Sequence, residues 1–265
     1  MTDRIAQMFD NNKRQGKKAL ITFVTAGDPD IAATKRLVLA MEAAGADLVE
    51  LGVPFSDPVA DGPVIQAADL RALSKGIKID GIFDAVQEVR GTSQVPIVFL
   101  IYINCIFNYG HERFFKRCAQ AGVDGVIVPD LPFEERGEIA AAAGECGIKI
   151  IPLVAPTSRG RIEMIAGAAE GFLYCVSSLG VTGMHQSFDT DFEAFFSAIN
   201  AAASAPTALG FGISTPEQAR ELKKYADGII VGSAIVKLVG NARDTDAAVN
   251  DVSAFVRQLR QAMDE

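Results

Sequence analysis

Several residue patterns that build common active sites are missing from this sequence of 265 residues. It contains only two histidines, His111 and His185, and their spacing gives no metal-binding cluster, so no catalytic metal ion is expected. No Gly-x-Gly-x-x-Gly motif follows the first apolar segment, which disfavours a nicotinamide cofactor. No lysine lies near the carboxyl end of a predicted strand, so the nucleophile of a Schiff-base mechanism is missing as well.

Closely spaced cysteines and an excess of positive charge are absent too. The four cysteines lie in apolar contexts without Cys-x-x-Cys spacing, which predicts buried, reduced thiols rather than disulfides or metal ligands. A net charge of −8 argues against nucleic acid or an anionic membrane surface as the main partner. An anionic small molecule remains compatible with this charge if its binding site is locally favourable.

One short segment has the outline of a signal peptide, with basic residues in 13–18 followed by an apolar run at 19–24. The run is short, contains Thr22 and is followed by the turn residues Gly27-Asp28-Pro29, so we interpret it as a first strand. No other run reaches the length of a transmembrane helix. The sequence therefore predicts a soluble protein of the cytoplasm.

Short apolar runs alternate along the chain with longer segments of helical periodicity. Continuous hydrophobicity within the runs is typical of parallel strands that are buried on both faces. The predicted strands are 19–24, 48–51, 96–101, 125–128, 149–154, 171–176, 207–210 and 228–231. The predicted helices between and after them are 31–44, 81–90, 111–121, 133–146, 159–168, 192–201, 216–225 and 244–263.

Eight strands in succession, with no break for a second domain, favour a closed (β/α)8 TIM barrel formed by residues 1–265 as one domain. A short amphipathic helix at 4–11 is expected to cap the bottom of this barrel. Small joins such as Ala44-Gly45-Ala46-Asp47 precede several strands and are typical of helix ends, where glycine adopts positive φ without strain. They predict the turns at the bottom, so the functional groups are expected in the loops at the opposite end.

The second predicted strand ends in a carboxylate, Glu50, and a loop stiffened by three prolines follows it. A glutamate near the end of an apolar strand is costly unless it is paired or protonated, and a salt-bridged or solvent-facing glutamate is the alternative to a functional one. Asp57 and Asp61 in the same loop favour the functional interpretation. Because proline restricts φ, the loop has little conformational freedom.

Glycines follow the last three predicted strands, at Gly180 and Gly183, at Gly212 and at Gly232. Glycine lets the backbone approach an anion closely, and the N–H groups at a helix start favour negative charge. Barrels often place a phosphate site after strands seven and eight beside a short extra helix, for which 233–238 is suitable. The residues alone thus predict carboxylate acid–base chemistry on a phosphorylated substrate. Two tyrosines on predicted strands, Tyr102 and Tyr174, could assist this chemistry or only contribute to packing.

With these residues identified, the sequence resembles the α subunit family of tryptophan synthase along its whole length. The motifs that carry the resemblance are Phe23-Val24-Thr25-Ala26-Gly27-Asp28-Pro29, the stretch from Glu50 to Pro63, Tyr102-Ile103-Asn104, Pro129-Asp130-Leu131-Pro132, Gly180-Val181-Thr182-Gly183, Gly212-Ile213-Ser214 and Gly232-Ser233-Ala234-Ile235-Val236-Lys237. The stretch from Glu50 to Pro63 is the most specific of the seven.

The resemblance implies retro-aldol cleavage of indole-3-glycerol phosphate to indole and glyceraldehyde 3-phosphate by a carbon–carbon lyase. It implies that Glu50 shuttles protons, that Asp61 accepts a hydrogen bond from the indole N–H, and that Tyr174 positions the substrate. It assigns the remaining indole contacts to Phe23, Leu100, Thr182 and Phe211. It assigns phosphate binding to Gly183, Gly212, Ile213, Gly232 and Ser233.

The resemblance also implies a β subunit that receives indole through a tunnel in an α2β2 complex and makes L-tryptophan. Pyridoxal phosphate is then expected in the β subunit only, and no cofactor is expected in this chain. The residues expected to face the partner are Ser56, Asp57, Asn104, Phe107, Asn108, Pro129, Asp130 and Pro132.

Two positions depart from the family pattern: Ser178, where some members carry arginine, and Pro129, where others have a small residue. A loop-closing ion pair made by that arginine is therefore not expected here. Three alternatives to the complete assignment stay open from the residues: a stand-alone lyase that releases free indole, another phosphate-binding barrel such as a sugar-phosphate isomerase, and a barrel kept only as a structural or allosteric partner.

Overall fold

The structure, a computed structural model, describes residues 3–176, 192–210 and 212–265, without the side chains of Arg159 and Phe192. Within these residues nine parallel strands form one sheet in the order β5-β4-β3-β2-β1-β9-β8-β7-β6. The strands are β1 (Ala19–Thr25), β2 (Leu48–Gly52), β3 (Ile97–Leu100), β4 (Gly125–Ile127), β5 (Lys149–Ile151), β6 (Leu153–Val154), β7 (Leu173–Val176), β8 (Thr207–Gly210) and β9 (Gly228–Val231).

The two outer strands of that order, β5 and β6, are halves of one predicted strand, interrupted at Pro152. Proline has no backbone N–H and cannot donate to a ladder. Its carbonyl still accepts a hydrogen bond of 3.0 Å from the Tyr174 N–H. Because β5 pairs with β4 and β6 pairs with β7, the interrupted strand joins the two edges of the sheet. The predicted (β/α)8 barrel is confirmed, with its fifth strand split.

Helices follow the strands and surround the barrel. The α-helices are α1 (Arg4–Arg14), α2 (Ile31–Ala43), α3 (Pro63–Ser74), α4 (Ile79–Arg90), α5 (Ile103–Tyr109), α6 (His111–Ala121), α7 (Gly137–Glu145), α8 (Ile162–Gly167), α9 (Phe192–Ala202), α10 (Pro216–Leu222), α11 (Ser233–Asn241) and α12 (Thr245–Asp264). Short 3₁₀ helices at Phe133–Glu135 and Pro156–Arg161 precede α7 and α8. Among the described residues no helix is long and apolar enough to cross a bilayer.

Two further local predictions need correction, and two helices were not predicted. The sequence did not predict α3 or α5, both of which follow loops that shape the site. The helix predicted at 133–146 is broken after its first turn, and the strand predicted at 171–176 begins only at Leu173. The late start of that strand has a local cause, because Gly171 adopts a left-handed φ of 69°, which is not an extended conformation.

The first helix caps the bottom of the barrel, as predicted. Its apolar face, Ile5, Met8 and Phe9, packs against side chains that point inward from the strands. The ring of Phe9 lies 5.9 Å from that of Phe172, which in turn lies 6.5 Å from the ring of Tyr174. Apolar packing therefore fills the barrel from its bottom up to Tyr174.

The same hydrogen-bond pattern occurs at three turns at the bottom of the barrel. It is made by Asp47, Asp124 and Asp227. Each precedes a strand and donates its backbone N–H to a carbonyl of the neighbouring strand, at Leu20, Ile97 and Thr207 respectively. Each carboxylate then accepts the backbone N–H of that same neighbouring residue, at 2.7 to 3.0 Å. These reciprocal bonds align the strand pairs at the bottom, and the opposite ends of the strands form the rim of a pocket.

Candidate active site

A pocket opens at the carboxyl ends of the strands and encloses about 450 Å³ of space including its mouth. Its described lining residues are Phe23, Glu50, Asp61, Ile65, Leu100, Tyr174, Gly212, Ile213, Ile230, Gly232 and Ser233. Both predicted catalytic carboxyl groups therefore lie in one pocket with predicted indole and phosphate residues.

Glu50 points into the barrel from β2, between Phe23 of β1 and Val98 of β3 in the strand register. Its side chain is 1% exposed, and its Oε1 atom accepts no hydrogen bond from any described residue. Burial without a compensating partner disfavours the charged form and raises the pKa of Glu50 to about 8. A solvent-facing glutamate is therefore excluded, and at neutral pH this carboxyl group holds a proton.

Asp61 lies two residues before α3 and is also buried, but it has a donor. The Tyr102 hydroxyl is 2.7 Å from the Asp61 Oδ2 atom. Burial raises the pKa of Asp61 to about 6, and the Tyr102 hydrogen bond acts in the opposite direction because it favours the carboxylate. At neutral pH Asp61 is therefore mainly ionised, whereas Glu50 is mainly neutral.

A third buried carboxyl group, Asp69 of α3, lies close enough to Asp61 to feel its charge. Burial and the nearby charge of Asp61 raise the pKa of Asp69 to about 8, which the Phe55 backbone offsets only in part. Arg71, two residues further along α3, binds Asp28 instead, with hydrogen bonds of 2.8 and 2.7 Å. Asp69 was not predicted as a site residue, although it is a charged residue on the apolar face of 63–74.

Two glycines make room for the aromatic walls of the pocket. A Cβ atom at Gly210 would approach the Tyr174 hydroxyl to 2.6 Å, and one at Gly52 would approach the Phe23 ring to 2.5 Å. Both distances are shorter than any normal contact, so each ring occupies space that only glycine leaves free. From the sequence, glycines near strand ends were predicted to be turn or phosphate-binding residues. Their role in leaving space for an aromatic ring was not predicted.

The predicted phosphate residues meet at the start of α11. Gly232 precedes this nine-residue helix and Ser233 opens it, so the first-turn N–H groups face the region of the pocket. Gly212 has a left-handed φ of 84°, and the adjacent Ile213 is buried in the pocket wall. The backbone here suits an anion. Thr182, Gly183 and Phe211, together with the departure at Ser178, lie outside the described residues.

The residues expected to face a partner lie on three neighbouring segments. Ser56 and Asp57 are exposed in the loop after β2, and Asn104, Phe107 and Asn108 are exposed or partly exposed on α5. Pro129, Asp130 and Pro132 follow β4 and are at least partly exposed. Within the described chain the exposed large apolar side chains include Val59 and Phe107, on the first two of these segments. Val59 was not predicted to belong to this surface.

Comparison with known proteins identifies the family. The family model described as tryptophan synthase alpha chain matches residues 9–264. The chain belongs to the tryptophan synthase alpha chain family. A tryptophan synthase alpha chain from Caldanaerobacter subterraneus is 52% identical over 261 residues, which cover 98% of this chain and 100% of the relative. Another, from Lacticaseibacillus casei, is 48% identical and covers 100% of this chain and 97% of the relative.

Solved structures agree with this membership. The tryptophan synthase alpha chain of Legionella pneumophila superposes with a TM-score of 0.90 at 34% identity, covering 100% of this chain and 98% of the other. A chain of the tryptophan synthase complex of Pyrococcus furiosus gives a TM-score of 0.84 at 36% identity, covering 92% of this chain and 98% of the other. As a member of the tryptophan synthase alpha chain family, the chain is a lyase of tryptophan biosynthesis.

Proposed function

We propose that this chain cleaves indole-3-glycerol phosphate to indole and glyceraldehyde 3-phosphate, with Glu50 and Asp61 as its catalytic residues. The carrying observation is that two buried carboxyl groups line one pocket and differ in charge at neutral pH. Carbon–carbon cleavage of this kind needs one group that gives and takes protons and another that stabilises positive charge. Pairs of carboxyl groups with separated pKa values are a common way to divide such roles.

Glu50 has the properties of the proton-transfer group. Because burial raises its pKa to about 8, it starts the reaction protonated and can donate to indole C3. The carboxylate formed in that step then accepts the proton of the substrate hydroxyl as the carbon–carbon bond breaks and the aldehyde forms. Glu50 therefore gives up one proton and regains one within a single turnover. It returns to its protonated state without a second proton carrier.

Asp61 has the properties of the electrostatic group. Protonation of C3 develops positive charge at the ring nitrogen, and an ionised carboxylate that accepts the ring N–H stabilises that charge. Tyr102 already occupies the Oδ2 atom, so we assign the indole N–H to Oδ1. Phe23, Leu100 and Tyr174 supply the aromatic and apolar walls around the ring.

The phosphate is proposed to bind the backbone at Gly212, Ile213, Gly232 and Ser233. The start of α11 favours an anion without any basic side chain, because N–H groups and the helix dipole both point there. In this proposal a chain with net charge −8 binds an anionic substrate through local backbone groups. Gly183 and Thr182 remain predicted contacts.

The partner is proposed to be a tryptophan synthase β subunit that carries pyridoxal phosphate and receives the indole, in an α2β2 complex. The similarity to a chain of the Pyrococcus furiosus complex supports this assignment. Exposed Val59 and Phe107 support it as well, because apolar side chains at an interface are freed from water when a partner binds. The cytoplasm remains the proposed compartment, on the sequence argument alone.

The deciding assay measures indole released from indole-3-glycerol phosphate by the purified chain, with and without added β subunit. Release that a β subunit strongly stimulates supports the proposal, and equal release in both conditions favours the stand-alone lyase. No release in either condition contradicts lyase activity. Turnover of a small phosphosugar instead would identify a different barrel enzyme.

A further inference from the structure

We propose that Tyr102 is a positioning residue that holds Asp61 ionised and fixes the loop that carries it. The proposal rests on the proposed function, because Asp61 is its target. Tyr102 directly precedes α5, and the sequence left open whether it assists the chemistry or only contributes to packing. Its side chain is buried and reaches the loop that follows β2, 41 residues earlier in the chain.

The direction of the hydrogen bond follows from the two contacts of the hydroxyl oxygen. The Ala60 N–H donates to the Tyr102 oxygen at 3.0 Å, because a backbone amide has only a proton to offer. The single hydroxyl proton of Tyr102 is therefore available for the Asp61 Oδ2 atom, at 2.7 Å. Since Oδ2 accepts this proton, the contact favours the charged form of Asp61.

The ring and backbone of Tyr102 are held from two further sides. The ring stacks on Phe55, with centroids 5.1 Å apart and planes inclined by 26°. The next residue, Ile103, donates its backbone N–H to the Asp130 Oδ1 atom at 2.9 Å. Asp130 thus caps the start of α5 from a different loop, since Tyr102 makes no side-chain cap. With these supports, the hydroxyl has little freedom to leave Asp61.

The ionisable side chains around Asp61 explain why the hydrogen bond from Tyr102 is important for the charge of Asp61. Asp69 of α3 is a buried acid whose own pKa is raised in part by the charge of Asp61, and Glu50 and Tyr174 line the same pocket without adding positive charge. Among these neighbours only the Tyr102 hydroxyl lowers the pKa of Asp61. Removing that hydroxyl is therefore expected to raise the pKa of Asp61.

The test is Tyr102→Phe, which keeps the ring and removes the hydroxyl. We expect kcat/KM for indole release at pH 6 to fall about tenfold or more, as for loss of a hydrogen bond to a charged group. The ratio of variant to wild-type kcat/KM should rise as pH increases from 5.5 to 8, since Asp61 regains its charge. Tyr109→Phe is the matched control, because Tyr109 donates to the exposed Asp80 carboxylate outside the site. Its ratio should stay near one.

A pH-independent ratio in Tyr102→Phe, near one or uniformly reduced, would overturn the proposal and leave Tyr102 a packing residue. A second measurement does not depend on activity. In ¹³C NMR titrations of side-chain carboxyl groups, the signal absent from Asp61→Asn should titrate at higher pH in Tyr102→Phe than in the wild type. An unchanged midpoint overturns the Tyr102 proposal even if the enzyme is active, and a raised midpoint supports it even if no indole is released.

Discussion

The ring of Tyr174 lies across the backbone of Gly210, where a Cβ atom would come within 2.6 Å of the tyrosine hydroxyl and 2.8 Å of Cε1. The two residues belong to paired strands, β7 and β8. The ring is buried and supported from below by Phe172, at 6.5 Å between centroids. It therefore cannot move away without disturbing the barrel interior, and the position of this pocket wall depends on the absence of a side chain at 210.

Gly210→Ala is predicted to displace the Tyr174 ring and thereby impair catalysis. The substitution removes no polar group, so steric displacement alone would account for the effect. Overpacking of this kind costs roughly 1–3 kcal/mol of stability. A small misplacement of a positioning residue can lower the rate by about 10²-fold. Steady-state kinetics of indole release and thermal unfolding measure both effects.

The matched control is Gly144→Ala in α7, where an added Cβ meets nothing within 4 Å. This change should leave kinetics unaltered and slightly raise the unfolding temperature, because alanine favours a helix over glycine. Wild-type kinetics in Gly210→Ala would show that Tyr174 does not form a rigid wall of the site.

The pH profile of kcat/KM is predicted to be bell-shaped with limbs near 6 and 8. Below the lower limb Asp61, with a pKa of about 6, becomes neutral and no longer stabilises positive charge on the indole ring. Above the upper limb Glu50, with a pKa of about 8, has lost the proton that it must donate. Initial rates at low substrate concentration report these free-enzyme values. A rate that keeps rising through pH 9 would contradict the assignment of Glu50 as the acid.

Asp69 is predicted to destabilise the protein at alkaline pH. A carboxyl group whose pKa is higher in the folded state favours folding below its unfolded pKa and loses that contribution as pH rises through the folded value, here about 8. Asp69→Asn mimics the neutral form. Its unfolding temperature should therefore exceed that of the wild type by more at pH 9 than at pH 5.

Replacing an exposed aspartate, as in Asp251→Asn, provides the comparison for this experiment. Its difference from wild type should be about the same at both pH values. An equal temperature shift at pH 5 and pH 9 would mean that Asp69 is not buried as a neutral acid.

The sequence was sufficient to predict the barrel and to single out the two carboxyl groups that line its pocket. The physical reason is the same for both. Continuous apolar runs report strands buried on both faces, and a charged residue within such a run is costly enough to stand out, as Glu50 does. Glycines after the last strands coincide with a positive φ at Gly212 and a helix start after Gly232, because both features depend on local sequence. Phosphate binding at these residues stays a prediction.

Features that depend on contacts between segments far apart in the chain could not be predicted from the local sequence. Tyr102 acts on residues about forty positions earlier, and nothing in its own neighbourhood records that contact. Helix α5 has seven residues with only Ile106 fully buried, which is too short a pattern to show a period. Helix α3 does place Ile65, Ala68 and Ala72 at helical spacing, but small side chains and the buried Asp69 weakened the pattern.

The most direct test of the assignment is the rate of indole release by Glu50→Gln, which keeps the size of the side chain and removes its transferable proton. We predict a loss of at least about 10³-fold in kcat, within the range for general acid–base groups, with dissociation constants for indole-3-glycerol phosphate within about threefold of wild type. Glu88→Gln, on the exposed side of α4, should retain wild-type kcat. A folded Glu50→Gln protein that releases indole at a rate close to that of the wild type would contradict the central role given to Glu50.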